Sequence, residues 1–428
     1  MRPSRDDSAS PTPPLAGAPF WSRPGLEVRD HRLLVAGRDA ATLAREHSTP
    51  LYVYDLRRME ENVRALQRAL TAVDLRHRVL LSMKAQHELE VLAFLRGLDE
   101  PGAPGSVGLD ACSPGELERG LASGWRPGEI SYTGTNVSER DLNIVLAPGV
   151  HLNLDLLSQI RRLGRRAPGR RIGLRLNPRC GARRGGGGDT LYSAARPTKF
   201  GIYPEQLDAA VTLARSFDLT IVTAHFHLAS NILTADLPAY DRALEAAAAM
   251  VSRLIDLGCP IAEINIGGGL GPPMLPGEAP LDLAAWAAVV EGRLKRFAVS
   301  ITVEPGEYLT KDTAVILGEV VTVEDRMGTT FVGFDMGWNV MNDHFIYGMP
   351  FPYVVCEKAD AAPTGRVTIS GHINEGDDLW AEDYPLPDVD EGDIVACINV
   401  GGYNQAMQMA HCLRPPAAAV YFGDRLED

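Results

Sequence analysis

A lysine that closes an apolar run is the first residue in this chain with chemistry to offer. Lys84 ends the stretch Leu80-Leu81-Ser82-Met83-Lys84-Ala85. A primary amine among apolar neighbours is costly while charged, and the neutral amine is a nucleophile suited to imine formation with an aldehyde. Many lysines instead lay their stems along such a surface and keep the ammonium in water, so the residue alone decides nothing. Gly267-Gly268-Gly269-Leu270-Gly271 follows another apolar run. Three glycines let backbone N–H groups close on a phosphate with no Cβ in the way, and they equally make a tight turn. No Lys-Ser or Lys-Thr follows, so this is not a Walker motif. Glu304, in Val303-Glu304-Pro305-Gly306, closes a third run. A carboxylate there can bond a pyridine nitrogen and keep it protonated, which makes the ring an electron sink. His225 and His227 close a fourth run. His227 is suited to stack on a ring face, His225 reads as a core neighbour, and as isolated histidines both would more often be structural.

Each of these residues stands at the C-terminal end of an apolar run, and the runs repeat. They are Arg78–Met83, Val107–Ala111, Ile130–Thr133, His151–Leu154, Ile172–Leu176, Ile221–Phe226, Ile261–Ile266 and Ser300–Val303. Between them apolar residues recur at helical spacing in Pro114–Ser123 (behind the N-cap Ser113), Ser138–Leu146, Asp155–Gly164, Pro204–Ser216, Asp236–Leu257 and Leu281–Phe297. Strands alternating with helices imply parallel pairing, and eight such units imply a closed α/β barrel of the (β/α)8 TIM type. Barrels of this kind carry chemistry on the loops after their strands, and often bind phosphate after the seventh and eighth. The run ends read Lys84, Asp110, Thr133 with Gly134, Asn153 with Asp155, Arg175 with Asn177, His225 with His227, Gly267–Gly269, and Glu304. Any strand must stop at a polar turn. A lysine, an arginine, two histidines and a glutamate on one rim ask for more than that.

After Glu304 the pattern changes. Val315–Val323, Thr330–Phe334, Pro352–Cys356, Arg366–Ser370, Asp393–Asn399 and Ala418–Phe422 read as strands between Gly, Pro and Asp turns. Short β-like runs, Arg32–Val35 and Leu51–Tyr54, precede the barrel. The expected division is a disordered leader over 1–19, N-terminal strands over 20–54, a barrel over 55–305 and a C-terminal all-β domain over 306–428. The loop 179–197, with Gly185–Gly188, reads as a tolerated insertion or as a lid hinge. The 428 residues carry 42 basic and 55 acidic side chains, a net charge of -13, which argues against a nucleic-acid partner. Cys112, Cys180, Cys259, Cys356, Cys397 and Cys412 form no CxxC pair, so neither a metal site nor a disulfide framework is expected, and a reducing cytoplasm fits best. No apolar run reaches the roughly 18 residues of a membrane span.

These motifs, in this order, carry a resemblance. From about Thr49 to Phe422 the chain resembles the fold-type III pyridoxal-phosphate decarboxylases, the group of diaminopimelate, ornithine and arginine decarboxylases, whose barrel is alanine-racemase-like. Thr49-Pro-Leu-Tyr-Val-Tyr-Asp55 is similar to the strand that leads into the family's barrel, and Ser82-Met83-Lys84-Ala85 to its cofactor segment. The resemblance therefore implies pyridoxal 5'-phosphate as cofactor, held by Lys84 as a Schiff base. Asp110-Ala-Cys-Ser-Pro-Gly-Glu-Leu117 places Asp110 near it. Arg175-Leu-Asn-Pro178 and Lys199-Phe-Gly-Ile202 match further signatures, the first adding Arg175 to the cofactor site. His225-Phe-His-Leu-Ala-Ser230 implies that His227 stacks on the ring and Ser230 touches the phosphate. Gly267, Gly268 and Gly269 match the phosphate loop, Glu304 the pyridine partner, and Gly401-Gly402-Tyr403 a late motif whose tyrosine reaches the phosphate. The implied reaction is loss of an α-carboxylate from an amino-acid-type substrate, in a homodimer with shared sites.

The chain departs from the family pattern in three places. Glu-Pro-Gly-Arg is usual, and its arginine helps hold the phosphate or an acidic substrate; here Glu307 stands instead. An anion near a phosphate is repulsive, so Glu307 turns away or meets a cationic or hydroxylated part of the substrate, with Arg175 or Lys199 as candidate compensating cations. The motif Cys-Glu-Ser-x-Asp reads Asn374-Glu375-Gly376-Asp377-Asp378. Asn374 cannot act as a thiol acid in returning a proton to Cα, while Glu375 is kept to meet a substrate amine, with Asp378 beside it. Asp335-Met-Gly-Trp-Asn-Val-Met-Asn-Asp343 is an expanded form of Asp-Ala-Gly-Met-Asn-Asp and offers Asp343 to the substrate. The expectation is a decarboxylase of a specialised siderophore or secondary-metabolite pathway. Racemisation, decarboxylation coupled to transamination, or a non-catalytic homologue are the competing readings.

Overall fold

The computed structural model describes residues 19–98, 106–186 and 197–423. The expected leader up to residue 18 lies outside the described residues, as do Gly187 and Gly188 of the glycine run. The chain divides into two compact units, one of residues 59–272 and 279–311, the other of 19–58, 273–278 and 312–423.

The first unit is a closed barrel of eight parallel strands: β1 (His77–Ser82), β2 (Val107–Ala111), β3 (Ile130–Tyr132), β4 (His151–Leu154), β5 (Arg171–Arg175), β6 (Thr220–His225), β7 (Glu263–Asn265) and β8 (Ser300–Val303). Consecutive strands are neighbours, and β8 returns to pair with β1, Val303 opposite Val79. Parallel strands covered on both faces read as near-continuous apolar runs, which is why composition exposed them in the sequence. All five residues of β2 are buried, and Val79, Leu80, Leu81 and Leu109 are wholly so. The barrel interior also holds polar groups that bond to one another. Asn153 Nδ2 donates to Ser131 Oγ (3.0 Å) and Thr133 Oγ1 (2.9 Å). Gly173 fits beside them because a Cβ there would overlap Asn153 Oδ1. The helices begin where their caps allow; Ser113 Oγ accepts the Glu116 N–H at 3.2 Å and opens the helix Pro114–Ala122.

The second unit is built on an eight-stranded sheet. Its long strand Ala314–Arg326 pairs with Ile394–Ile398 on one side, and with Leu51–Asp55 and Thr329–Phe334 in succession on the other. Tyr353–Val355, Gly365–Ser370, Leu379–Leu386 and Ala418–Phe422 complete it. A small sheet (Leu26–Arg29, Arg32–Val35, Arg38–Asp39) and the helix Ala40–His47 bury Trp21, Leu33 and Leu43 with Val53, Val315 and Leu317 of the large sheet. This unit is sheet-rich but not purely β. Asp39 caps the helix through the Thr42 N–H, and a further short helix spans Asp343–Tyr347. Among the described residues no helix is long and apolar enough to cross a membrane.

Candidate active site

Lys84 lies in the turn after β1, two residues beyond the last paired residue, and its side chain is exposed at the rim. This corrects the expectation of an amine desolvated on the strand. The turn is held by Met83 N–H to Asp110 O (2.9 Å) and Ala85 N–H to Ser82 O (3.0 Å). Ser82 Oγ donates to Asp110 Oδ2 at 2.9 Å, while Asp110 Oδ1 is buried without a partner. Burial pushes the Asp110 carboxyl well up, and the charge of Glu304 pushes it further, against the opposing pull of Lys84 and of the Ser82 hydroxyl.

Glu304 follows β8 directly. Its two oxygens are taken by neighbouring strands: His225 Nε2 donates at 3.0 Å and Asn265 Nδ2 at 2.5 Å. Burial pushes Glu304 up, but the charge and hydrogen bond of His225, with Asn265 and Lys84, outweigh it and hold the carboxyl below its usual range. Two buried carboxyls near one amine are thus pushed in opposite directions, Asp110 toward the neutral acid and Glu304 toward the carboxylate. His225, expected as a core neighbour, is an orienting donor to Glu304, and Asn265 was not singled out from the sequence at all. Polar residues inside apolar runs were the available signal for both.

The glycine loop follows β7. Gly267 N–H donates to Asn265 Oδ1 at 3.0 Å, and Glu304 N–H to Gly267 O at 2.8 Å. Gly267 and Gly269 adopt φ of 67° and 94°. A Cβ on Gly268 would overlap the Glu304 carbonyl, and one on Gly269 the Ala229 carbonyl. The run is therefore a cradle with no room for side chains. His227 Nδ1 accepts the Gly268 N–H at 3.2 Å. Its ring keeps some surface at the mouth, yet burial, followed by the charges of Lys84, Arg175 and His225, lowers its pKa well below the usual value and leaves it neutral. Ser230 lies beside the cradle in a two-residue strand paired with Ala182–Arg183. Arg175 ends β5 with its guanidinium 4.5 Å from the centre of the Phe200 ring, and Lys199 Nζ lies 5.0 Å from the same ring. Neither takes the compensating post beside Glu307. That post belongs to Lys311, wholly buried, with Nζ 3.5 Å from Glu307 Oε2. An acid and a base four residues apart were the signal for this pair.

The remaining candidates belong to the sheet-rich unit. Asn374, Glu375, Gly376 and Asp377 form an exposed loop, with Glu375 Oε1 3.8 Å from His411 Nε2. The Trp338 indole N–H fixes His411 from the other side, donating to Nδ1 at 2.7 Å. Asp378, expected to meet substrate, is 1% exposed and accepts from Ile373 N–H (2.8 Å), Trp338 N–H (3.0 Å) and Trp380 Nε1–H (3.1 Å). It is the hub of its own loop, committed to those donors. Asp343 is wholly buried at the start of its short helix, its N–H facing Asn404 Oδ1 at 3.3 Å. Tyr403 is half-buried with a left-handed φ of 60°, edge-on to Tyr347.

The barrel rim therefore combines an accessible amine, an ionised carboxylate oriented by two donors, a neutral imidazole and a glycine cradle that side chains would fill. Those features fit a planar aldehyde with a basic ring nitrogen and a phosphate. A family model described as the pyridoxal binding domain of the pyridoxal-dependent decarboxylases matches residues 56–311. The diaminopimelate decarboxylase of Methanothermobacter thermautotrophicus is 34% identical over 407 residues, covering 93% of this chain and 92% of that one. That of Thermoplasma acidophilum is 29% identical over 391 residues, covering 89% of each. In fold, the chain is similar to the crystal structure of diaminopimelate decarboxylase from M. jannaschi, with a TM-score of 0.83 at 22% identity over 94% of this chain and 93% of that chain. The chain belongs to the pyridoxal-dependent decarboxylases, carboxy-lyases that remove CO2 from an amino acid with pyridoxal 5'-phosphate as cofactor.

Proposed function

We propose that this enzyme decarboxylates a modified amino acid or amino-acid conjugate in a specialised siderophore or secondary-metabolite pathway, and that it works as a homodimer with shared sites. Lys84 is the covalent anchor. The bound cofactor supplies an aldehyde for the substrate amine and a ring that accepts the electron pair left as CO2 departs. Glu304, kept ionised and oriented by His225 and Asn265, is placed to hold a proton on the ring nitrogen. Asp110, pushed toward its neutral acid by burial and by the charge of Glu304, resists becoming a second negative charge beside Lys84. His227, neutral, would lie against the ring without opposing its positive charge. Gly267, Gly268, Gly269 and Ser230 serve the phosphate, with Arg175 and Tyr403 assigned there by resemblance.

The net reaction exchanges one carboxylate for one proton at Cα. Asn374 offers an amide and no acid, so we assign to Glu375 the role of meeting a substrate amine, and this exposed loop to the partner subunit's site.

The substrate reading rests on one observation. After Glu304-Pro305-Gly306 comes an acid whose neighbouring cation, Lys311, is wholly buried, so this turn presents no positive charge to a second carboxylate. Diaminopimelate carries two carboxylates and is the compound for which the relatives are named. A substrate panel on the purified enzyme tests the reading. Conjugates lacking a distal carboxylate should turn over fastest, with CO2 and an amine as products; fast turnover of diaminopimelate with little on conjugates refutes it. Release of an aldehyde would point to coupled transamination, and inverted substrate without CO2 to racemisation. Lys84→Ala should lose both the cofactor's visible absorption and activity.

A further inference from the structure

Lys311 and Glu307 stand behind the catalytic rim. The ammonium of Lys311 has no exposed surface, and Glu307 Oε2 lies 3.5 Å away, one helical turn earlier. An ammonium taken out of water is tolerated when a carboxylate stands beside it, and a carboxylate in turn becomes costly when that cation is removed. The pair brackets the four-residue helix Glu307–Thr310, which is tied to the preceding turn: Thr310 N–H and Oγ1 both reach Gly306 O, at 3.1 and 2.9 Å.

The Glu304-Pro305-Gly306 turn is clamped on its other sides by cofactor-binding elements. Ser82 N–H donates to Pro305 O at 3.3 Å, and Glu304 N–H to Gly267 O at 2.8 Å. Gly268 packs so closely that a Cβ would lie 3.1 Å from Pro305 Cα and overlap the Glu304 carbonyl. A shift of this turn must move the Glu304 carboxylate, the glycine cradle, or both.

We infer that Lys311 is a positioning residue: by neutralising Glu307 it fixes the Glu304–Gly306 turn, and so sets how tightly the cofactor is held and how firmly Glu304 keeps a proton on its ring. This rests on the reading that Glu304 and Gly267–Gly269 hold the cofactor. The relation is one of coupled charges, so removing one partner is worse than removing both.

Lys311→Met, Glu307→Gln, the double variant and Lys311→Arg are compared as holoenzymes. The readouts are the cofactor dissociation constant and the pH midpoint of the bound cofactor's absorption. Each charge-removing single variant should loosen the cofactor by on the order of tenfold to a hundredfold and move the midpoint, as expected when a buried charge loses its partner. Lys311→Arg should restore most of the loss. The double variant should lose measurably, but less than either charge-removing single variant. Folded single variants with native dissociation constant and midpoint overturn the inference, because a merely structural pair would change melting temperature alone. If a single variant fails to fold, the double is judged against the other single: no loss, or a loss greater than that single's, overturns it, and if neither single folds, a double with native values overturns it. Retention of the visible absorption in Lys84→Ala would instead sink the cofactor assignment, independently of these variants.

Discussion

Asp110 and Glu304 show how two acids beside one amine come to be pushed in opposite directions. Glu304 has two nitrogen donors, His225 and Asn265; Asp110 has one hydroxyl and an unpartnered oxygen. The difference has a consequence for stability. In the fold Asp110 keeps a proton that the unfolded chain, with an ordinary carboxyl near 3.8, has already released. Such a group contributes stability fully below the unfolded value and loses it as pH rises through the raised native value. Asp110→Asn is neutral at every pH. In thermal melts from about pH 5 to about pH 9, its melting temperature should gain on the wild type as pH rises; a constant gap would sink the argument. The sequence offered Asp110 and Glu304 as strand-end acids but not their states. His225 is 79 residues from Glu304 in the chain, and only strand register brings them together.

At the scale of elements, the barrel strands were legible because burial on both faces leaves an unbroken apolar run. Val107–Ala111, His151–Leu154 and Ser300–Val303 begin and end where the runs do. Lys84 was harder, since an apolar run does not reveal where pairing stops; Met83 bonds to Asp110 O and the lysine turns outward. Leu379–Leu386 escaped notice because two exposed acids and a proline interrupt it. Asp378, just before that strand, was misjudged for another reason: a buried structural carboxylate and a ligand-binding one look alike in sequence. Its structural post can be measured. Asp378→Ala strands the N–H donors of Ile373, Trp338 and Trp380 and should cost about 3 kcal/mol or more in chemical denaturation. A change under about 0.5 kcal/mol, the ordinary range for an uninvolved site, would count against it.

For the whole molecule, the chain matches its relatives over nearly their full length, so the family assignment covers both units. The proposed homodimer with shared sites can be tested by complementation. Lys84→Ala lacks the anchor and Glu375→Ala lacks the loop carboxylate, so each alone should be nearly inactive. In randomly exchanged dimers one site per mixed pair is intact, and about a quarter of native turnover should return. Mixed dimers verified by mass that stay silent would place Glu375 in its own subunit's site. A last consequence follows from the closure of β8 on β1. A ribosome delivers Lys84 long before Glu304. Until the final barrel strand has emerged, the turn that carries Lys84 lacks the bond from Ser82 N–H to Pro305 O, so this rim is assembled only once translation has passed the last strand.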